Sequence, residues 1–469
     1  MKPPCGHQRT NTAAVVRTEK EDDSERTYGG LVKQRASVIV VGIACFALGA
    51  AIQRVYDTRG TAARQTVKVA PAVTTAKAAD PVWTVANVDR SRINYSGQPL
   101  WAWAVTEPPE SGEPQAVQGA PGAPANNANA GLSEEELNRK RTVSGSKLQF
   151  SLTEIRTVTN PNAGGQIVDW FPEDHGPIPD VVRYGPKAMG KNGRPCATCH
   201  LADGAGRPEN ASPAGLPEGY ILRQLQDFKN DLRHSSDPRK ANSNTMVMLA
   251  KGMSDNEMKE AARYFASVAW RPHVKVVETR LVPKTKIQGE LFIPQSKKLT
   301  EPIGNRIIET PTNTEENNTL RSAHGTWTAY VPVGSIKKGK DLVVRGGMKI
   351  VNGQIVQGKT TACATCHGID YMGIAPDVPP LAGRSPSYLA REIFDIQQGI
   401  RNGSNSNIAL MRMVVEKLTP EDIINITAYL ASRPLSPSGK PAPATGEPIT
   451  SQPNQANPAG GPVASLQTR

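Results

Sequence analysis

The five residues CATCH occur twice in this chain, at 196–200 and again at 363–367. Four of the six cysteines fall in these two phrases. Two thiols separated by two residues, with a histidine directly after the second, can form thioethers to the two vinyl groups of one porphyrin. The imidazole then lies under the iron as its proximal ligand. A redox dithiol or half of a zinc site also uses C-x-x-C. Neither explains a histidine directly after the second cysteine in both copies. The motif therefore predicts two covalently bound haem c groups, one on Cys196, Cys199 and His200 and one on Cys363, Cys366 and His367.

A repeat surrounds the two phrases. The phrases stand 167 residues apart, and Gly215/Gly383 and Tyr220/Tyr388 keep an offset of 168. Met246/Met411, Ser254/Thr419 and Tyr264/Tyr429 are each 165 apart. Such steady offsets point to a duplicated fold. In the first copy, 175–270, a short helix over 181–188 precedes the haem phrase. Ile221, Leu222, Leu225 and Phe228 then line one face of a helix over 216–233. Ser254 and Glu257 form a capping box ahead of a final helix whose stripe is Met258, Ala261, Ala262 and Phe265. The second copy, 335–433, repeats this plan. It has a leading helix over 335–344, a Gly-rich loop of two β-turns over 345–361, and an amphipathic helix over 388–401. Its last helix opens on Thr419 as N-cap with Pro420 in the first turn. Between the copies, 271–334 clusters β-formers between Pro and Gly, which predicts a small strand-containing insertion.

The remainder reads differently. Residues 1–35 are a polar leader. Residues 36–52 contain no charge, which suits a transmembrane anchor or a signal segment, and the long polar stretch before them favours the anchor. Residues 53–174 read as a Pro/Ala-rich linker, with Trp101 and Trp103 expected in a short local strand unless they dock on the folded part or a partner. The Pro-, Gln- and Asn-rich residues 434–469 read as a disordered tail. The net charge of +12 favours acidic partners. It is spread along the chain without a dense Lys/Arg run or interleaved aromatics, so a nucleic-acid partner is not expected.

A six-coordinate iron needs a second axial ligand. Met-x-Met occurs at matching places, as Met246 and Met248 and as Met411 and Met413. A lone methionine before a helix usually fills a core, but recurrence in both copies makes one of each pair the better ligand. The repeat alone does not choose between them. His175, His234, His273 and His324 have no counterparts in the other copy and read as surface or linker residues.

Haem phrase, Gly-x4-Tyr helix, ligand methionine and capped last helix together resemble class I cytochromes c, and the duplication resembles the two-domain dihaem members of that family. The resemblance covers about 175–270 and 335–433. It implies a mainly α fold with two tandem class I cytochrome c domains. In that family the methionine stands eight residues before the Ser/Thr opening the last helix, which implies Met246 and Met411, with Met248 and Met413 as alternatives. A Pro-x-Leu-x-Gly segment, whose Pro carbonyl accepts the proximal His N–H, is present as Pro379, Leu381 and Gly383. The first copy departs, with Ala211, Pro213 and Gly215, and has Leu201 where Gly368 follows the second CATCH. That departure predicts a weakened bond to His200 and unequal haem potentials.

The resemblance implies a carrier of single electrons between a periplasmic or membrane donor and a terminal acceptor of a bacterial respiratory chain, not an enzyme. Redox partner proteins are implied, a membrane respiratory complex among them. A dihaem subunit of a membrane oxidase or dehydrogenase complex is the nearest alternative, and a dihaem peroxidase a remoter one. Haem attachment of this type resembles a maturation outside the bacterial cytoplasm. This places the haem domains in the periplasm, tethered to the inner membrane by a single pass or free if the segment is cleaved.

Overall fold

Aromatic anchors organise the chain well before the first haem phrase. The computed structural model describes residues 98–105, 131–156, 167–296, 298–403 and 406–433. The polar leader, the 36–52 segment and the 434–469 tail lie outside the described residues. No helix among the described residues is long and apolar enough to cross a membrane.

Leu100–Trp103 forms a 3-10 turn rather than a strand. Trp103 is fully buried, meets Phe394 edge-on at 5.6 Å and donates its Nε1–H to Ser235 Oγ at 2.7 Å. Helices α1 (Glu134–Asn138) and α2 (Leu152–Arg156) border a small core of Val143, Leu152, Ile155, Trp170 and Phe171 with Leu320. The described parts of 53–174 are thus packed structure, which corrects the linker reading there. Their Pro- and Ala-rich flanks concealed tryptophans that each bury large areas and satisfy their N–H.

The first module comprises α3 (Asp180–Tyr184), α4 (Cys196–His200), α5 (Glu218–Lys229), α6 (Ala241–Gly252) and α7 (Asp255–Ser267). Ile221, Leu225 and Phe228 of α5 are buried, as are Met258, Ala262 and Phe265 of α7. The helix expected over 181–188 stops at Tyr184, because Gly185 turns to φ 89° and Pro186 follows. The capping box at the start of α7 is present. Ser254 Oγ accepts from the Glu257 amide, and the Glu257 carboxylate accepts from the Ser254 amide at 2.8 Å. Such a cap contributes about 1 kcal/mol.

The insertion holds strands β1 (Val274–Glu278), β2 (Leu281–Pro283), β3 (Thr285–Gln288), β4 (Leu291–Pro294), β5 (Thr300–Pro302), β6 (Ile308–Pro311) and β7 (Trp327–Val331). β7 is central, parallel to β1 and antiparallel to β6. Its Trp327, Ala329 and Val331 alternate inward. Ala329, Val331 and Val276 share one core with Ile336, Val343 and Tyr429, so the insertion is fused to the second module.

That module contains α8 (Ser335–Arg345), strands β8 (Lys349–Val351) and β9 (Gln354–Val356), then α9 (Ala364–His367), α10 (Pro386–Gln397), α11 (Ser406–Val415) and α12 (Pro420–Ala431). α8 lies so close to α12 that a Cβ on Gly339 would stand 1.8 Å from the Asn425 carbonyl oxygen. Only glycine fits there. The loop expected as two turns is a hairpin. Asn352 and Gly353, at φ 51° and 78°, join β8 to β9 as the left-handed pair that a two-residue hairpin turn requires. Thr419 caps α12 through the Asp422 amide, with Pro420 in its first turn.

Candidate haem sites

α4 places Cys196, Cys199 and His200 within one helical turn, and α9 continues Cys363 into Cys366 and His367 in the same way. Each set opens on a mainly apolar cleft. The first spans about 1410 Å³, counting its opening to solvent, and is lined by Cys196, Cys199, His200, Leu225, Phe228 and Met246. The second spans about 1630 Å³, likewise counted with its opening, and is lined by Cys363, Cys366, His367, Leu381, Ile393 and Met411. None of the four cysteines forms a disulfide. Burial pushes the pKa of Cys196 and of Cys363 up to about 12. A dithiol redox centre needs a lowered pKa in its attacking thiol, and neither Cys196 nor Cys363 has one.

The histidines are oriented alike. His200 Nδ1 lies 2.8 Å from the Ala211 carbonyl oxygen, and His367 Nδ1 lies 2.8 Å from the Pro379 carbonyl oxygen. A carbonyl only accepts, so Nδ1 carries the proton and Nε2 keeps its lone pair. Burial lowers the pKa of both imidazoles, which favours the neutral ligating form. The weakened bond expected at His200 is absent, because the acceptor is a backbone oxygen and Ala211 supplies it as well as Pro379 does. The departure in the first copy appears elsewhere. Leu201 occupies φ 63° and ψ 164°, close to the φ 81° and ψ 156° of Gly368. That region is nearly reserved for glycine, and the Leu201 side chain is held there by burial at 3 % exposure.

Met246 and Met411 sit on α6 and α11, helices that the sequence reading did not foresee. Both line the clefts that hold the histidines. Met248 and Met413 line neither cleft, and Met413 is 69 % exposed. His175, His273 and His324 line neither cleft, whereas His234 lines the first.

The clefts share a wall that the sequence reading missed. Leu216, Tyr220, Gln224, Tyr388 and Glu392 line both. The two modules meet there: Arg233 pairs with Arg401, its counterpart at the 168 offset, as an isolated bridge, and the Asn402 amide donates to the Leu232 carbonyl at 3.0 Å. Arg401 also donates to the Tyr220 hydroxyl at 2.6 Å. The buried Glu392 carboxylate is shared by two guanidinium groups, Arg233 at 2.6 Å and Arg401 at 2.5 Å, and their charge lowers its pKa against the opposing effect of burial. The signal for this wall was present, since Arg233/Arg401, Arg223/Arg391 and Asp227/Asp395 all keep the 168 offset.

These features fit a haem. Each cleft pairs apolar sides with two thiols and a neutral imidazole, while the shared wall holds two guanidinium groups to one carboxylate. That matches an apolar ring with acidic propionate edges.

Comparison with known proteins agrees. The family model for cytochrome c matches residues 183–269 and 350–434. Cytochrome c-554(548) of Halomonas halodenitrificans is 41% identical over 75 residues, covering 16% of this chain and 88% of that protein. A thiosulfate dehydrogenase electron acceptor of Thiomonas intermedia is 25% identical over 245 residues, covering 52% of this chain and 80% of that protein. Cytochrome c4 of Azotobacter vinelandii is 29% identical over 239 residues, covering 50% of this chain and 82% of that protein. With its two haem phrases on two matching modules, the chain belongs to the cytochrome c family, as a two-domain, cytochrome c4-like electron carrier with two covalently bound haem c groups.

Proposed function

We propose that the irons are held by His200 with Met246 and by His367 with Met411, and that the chain passes single electrons from a periplasmic or membrane donor to a terminal acceptor of a bacterial respiratory chain. The observation that carries this reading is the same in both modules. One methionine of each Met-x-Met pair shares a cleft with the CATCH histidine, and the other does not. Haem c supplies a one-electron couple when bound, and thioether ligation favours its reduced state. The chain's own residues do the rest. Cys196, Cys199, Cys363 and Cys366 fix the ring, the Ala211 and Pro379 carbonyls hold the imidazoles, and apolar walls limit water. A histidine and a methionine on each iron would leave no place for a substrate, which speaks against a peroxidase. The wall of Tyr220 and Tyr388 borders both clefts and supports exchange between the modules.

In this reading the 36–52 segment tethers the modules to the periplasmic face of the bacterial inner membrane, or leaves them free in the periplasm once cleaved. A periplasmic dehydrogenase is the favoured donor, because relatives called thiosulfate dehydrogenase electron acceptors match over about half of this chain. The same observation favours, as a second reading, a cytochrome subunit of such a dehydrogenase complex. Methionine variants test the ligand set. Met246→Ala and Met411→Ala should each remove about half of the far-red sulfur-to-iron charge-transfer band of the oxidised protein. Met248→Ala and Met413→Ala should leave it intact, and the opposite pattern overturns the assignment.

A further inference from the structure

Helix α6 carries Met246 but begins without a cap of its own. Lys240 stands at its N-cap position and has no acceptor to offer the first turn. Helices α7 and α12 are instead capped by Ser254 and Thr419, directly before them. For α6 the cap comes from the insertion. Glu290 Oε1 accepts from the Ala241 amide at 2.8 Å and from the Asn242 amide at 3.4 Å, and Glu290 Oε2 accepts from Lys240 Nζ. One carboxylate thus satisfies two amides at the helix end, meets the positive pole of its dipole and pairs a lysine that is only 2 % exposed.

The backbone at Glu290 is unusual for a glutamate. Gly289 and Glu290, at φ 60° and 61°, are the two central residues of the β3–β4 turn, between the paired Gln288 and Leu291. Glycine, asparagine and aspartate are the usual occupants of such positions, and a longer side chain is strained there. Among the described residues, every hydrogen bond of the Glu290 carboxylate goes to Lys240, Ala241 or Asn242, so the strain is offset at α6 and not within the hairpin. The hairpin is firmly rooted, because Leu291 and Ile293 are buried with Trp327 of β7. Met246 lines the first cleft five residues beyond Ala241, about 7.5 Å along the helix axis.

We infer that Glu290 is a positioning residue for the first haem: the β3–β4 hairpin of the insertion straps the N-terminal end of α6 and holds Met246 over the first cleft. The inference rests on the Met246 reading above and gives the insertion a role in it. Helix α11, which carries Met411, is held differently. The Thr360 hydroxyl donates to its Val414 carbonyl at 2.7 Å and the Gln397 amide to its Val415 carbonyl at 2.9 Å, both from within the second module. Loosening the strap should therefore free the first methionine and leave the second in place.

Imidazole titration of the oxidised holoprotein tests this, because imidazole binds the iron only where the methionine has left, and the far-red band reports the methionine still bound. A Met411→Ala background leaves the band of the first haem alone, and Met246→Ala leaves that of the second. In the first background Glu290→Ala should lower the imidazole concentration at half-bleaching about tenfold, the effect of a lost helix cap on one opening equilibrium. In the second background it should change nothing. Glu290→Gln keeps an acceptor oxygen and should give a smaller shift in the same direction, which carries the test if the alanine variant fails to load haem. Glu301→Ala breaks a partly exposed ion pair with Arg306 elsewhere in the insertion and should leave both haems unchanged. A shift below about twofold at the first haem in both Glu290 variants, equal shifts at both haems, or an equal response to Glu301→Ala overturns the strap while the ligand assignment stands. A far-red band that keeps its full strength in Met246→Ala overturns the ligand assignment itself.

Discussion

Replacing Arg384 by methionine would show how far the two modules depend on one buried cation. Arg384 follows Gly383 in the second module and is 2 % exposed. Its guanidinium donates to the first module's Ser212 carbonyl at 2.5 Å and Ala214 carbonyl at 3.0 Å, and lies 4.0 Å from the centre of the Trp270 ring. Burial lowers its pKa to about 10, so it is still charged at neutral pH. Methionine keeps an apolar stem and removes every donor. Two buried carbonyls left without partners cost about 1–3 kcal/mol each, and the lost cation–π contact adds about 0.5–2 kcal/mol. Relief from burying a charge offsets part of this, giving a net destabilisation of about 2–4 kcal/mol.

Equilibrium unfolding of the oxidised holoprotein in guanidinium chloride, followed by haem absorbance, measures it. The expected result is a lower midpoint with the transition split in two as the modules uncouple. Ser212 and Ala214 also follow directly on Ala211, whose carbonyl orients His200. The potential of the first haem should therefore shift while that of the second holds. A loss below about 1 kcal/mol with the single transition preserved would refute the reasoning.

Trp103→Ala should cost about 3–5 kcal/mol, because it empties a fully buried site and strips Ser235 of its donor. Denaturant midpoints check this, and a cost near zero would return residues 98–105 to the linker. Asp395 predicts a pH dependence. Burial raises its pKa to about 7, against hydrogen bonds from the Ser236 amide and hydroxyl at 2.9 and 2.5 Å; Glu392 adds to the rise and Arg233 opposes it. The folded state therefore holds a proton that the unfolded chain releases, so stability falls as pH rises from about 4 to about 7. Asp395→Asn should remove that slope in unfolding measured across this range, and an unchanged slope would assign it to another group.

What could be read from the chain alone was the local chemistry. CATCH, the Ser254 and Thr419 caps and the stripe on α7 are signals confined to a few neighbouring residues, and each is present. The hairpin at Asn352 and Gly353 was also written locally, but a Gly-rich setting made it resemble two separate turns. Long-range contacts were harder to read. Nothing near Trp103 announces Ser235 or Phe394, and nothing near Leu201 shows that burial would hold a leucine in a glycine conformation. At His200 the residue type misled, because the hydrogen bond uses a backbone oxygen that any residue provides. The shared wall was accessible through the 168 offset. Reading it required the further idea that matching residues of a duplicated fold meet at a pseudo-two-fold axis.

The central claim, two closed histidine–methionine sites in one carrier, is tested most directly by the visible spectrum of the purified holoprotein. The account predicts a far-red sulfur-to-iron charge-transfer band in the oxidised protein and no change in the reduced spectrum on adding carbon monoxide. Binding of carbon monoxide at either haem would contradict it by showing a site that can open to a ligand.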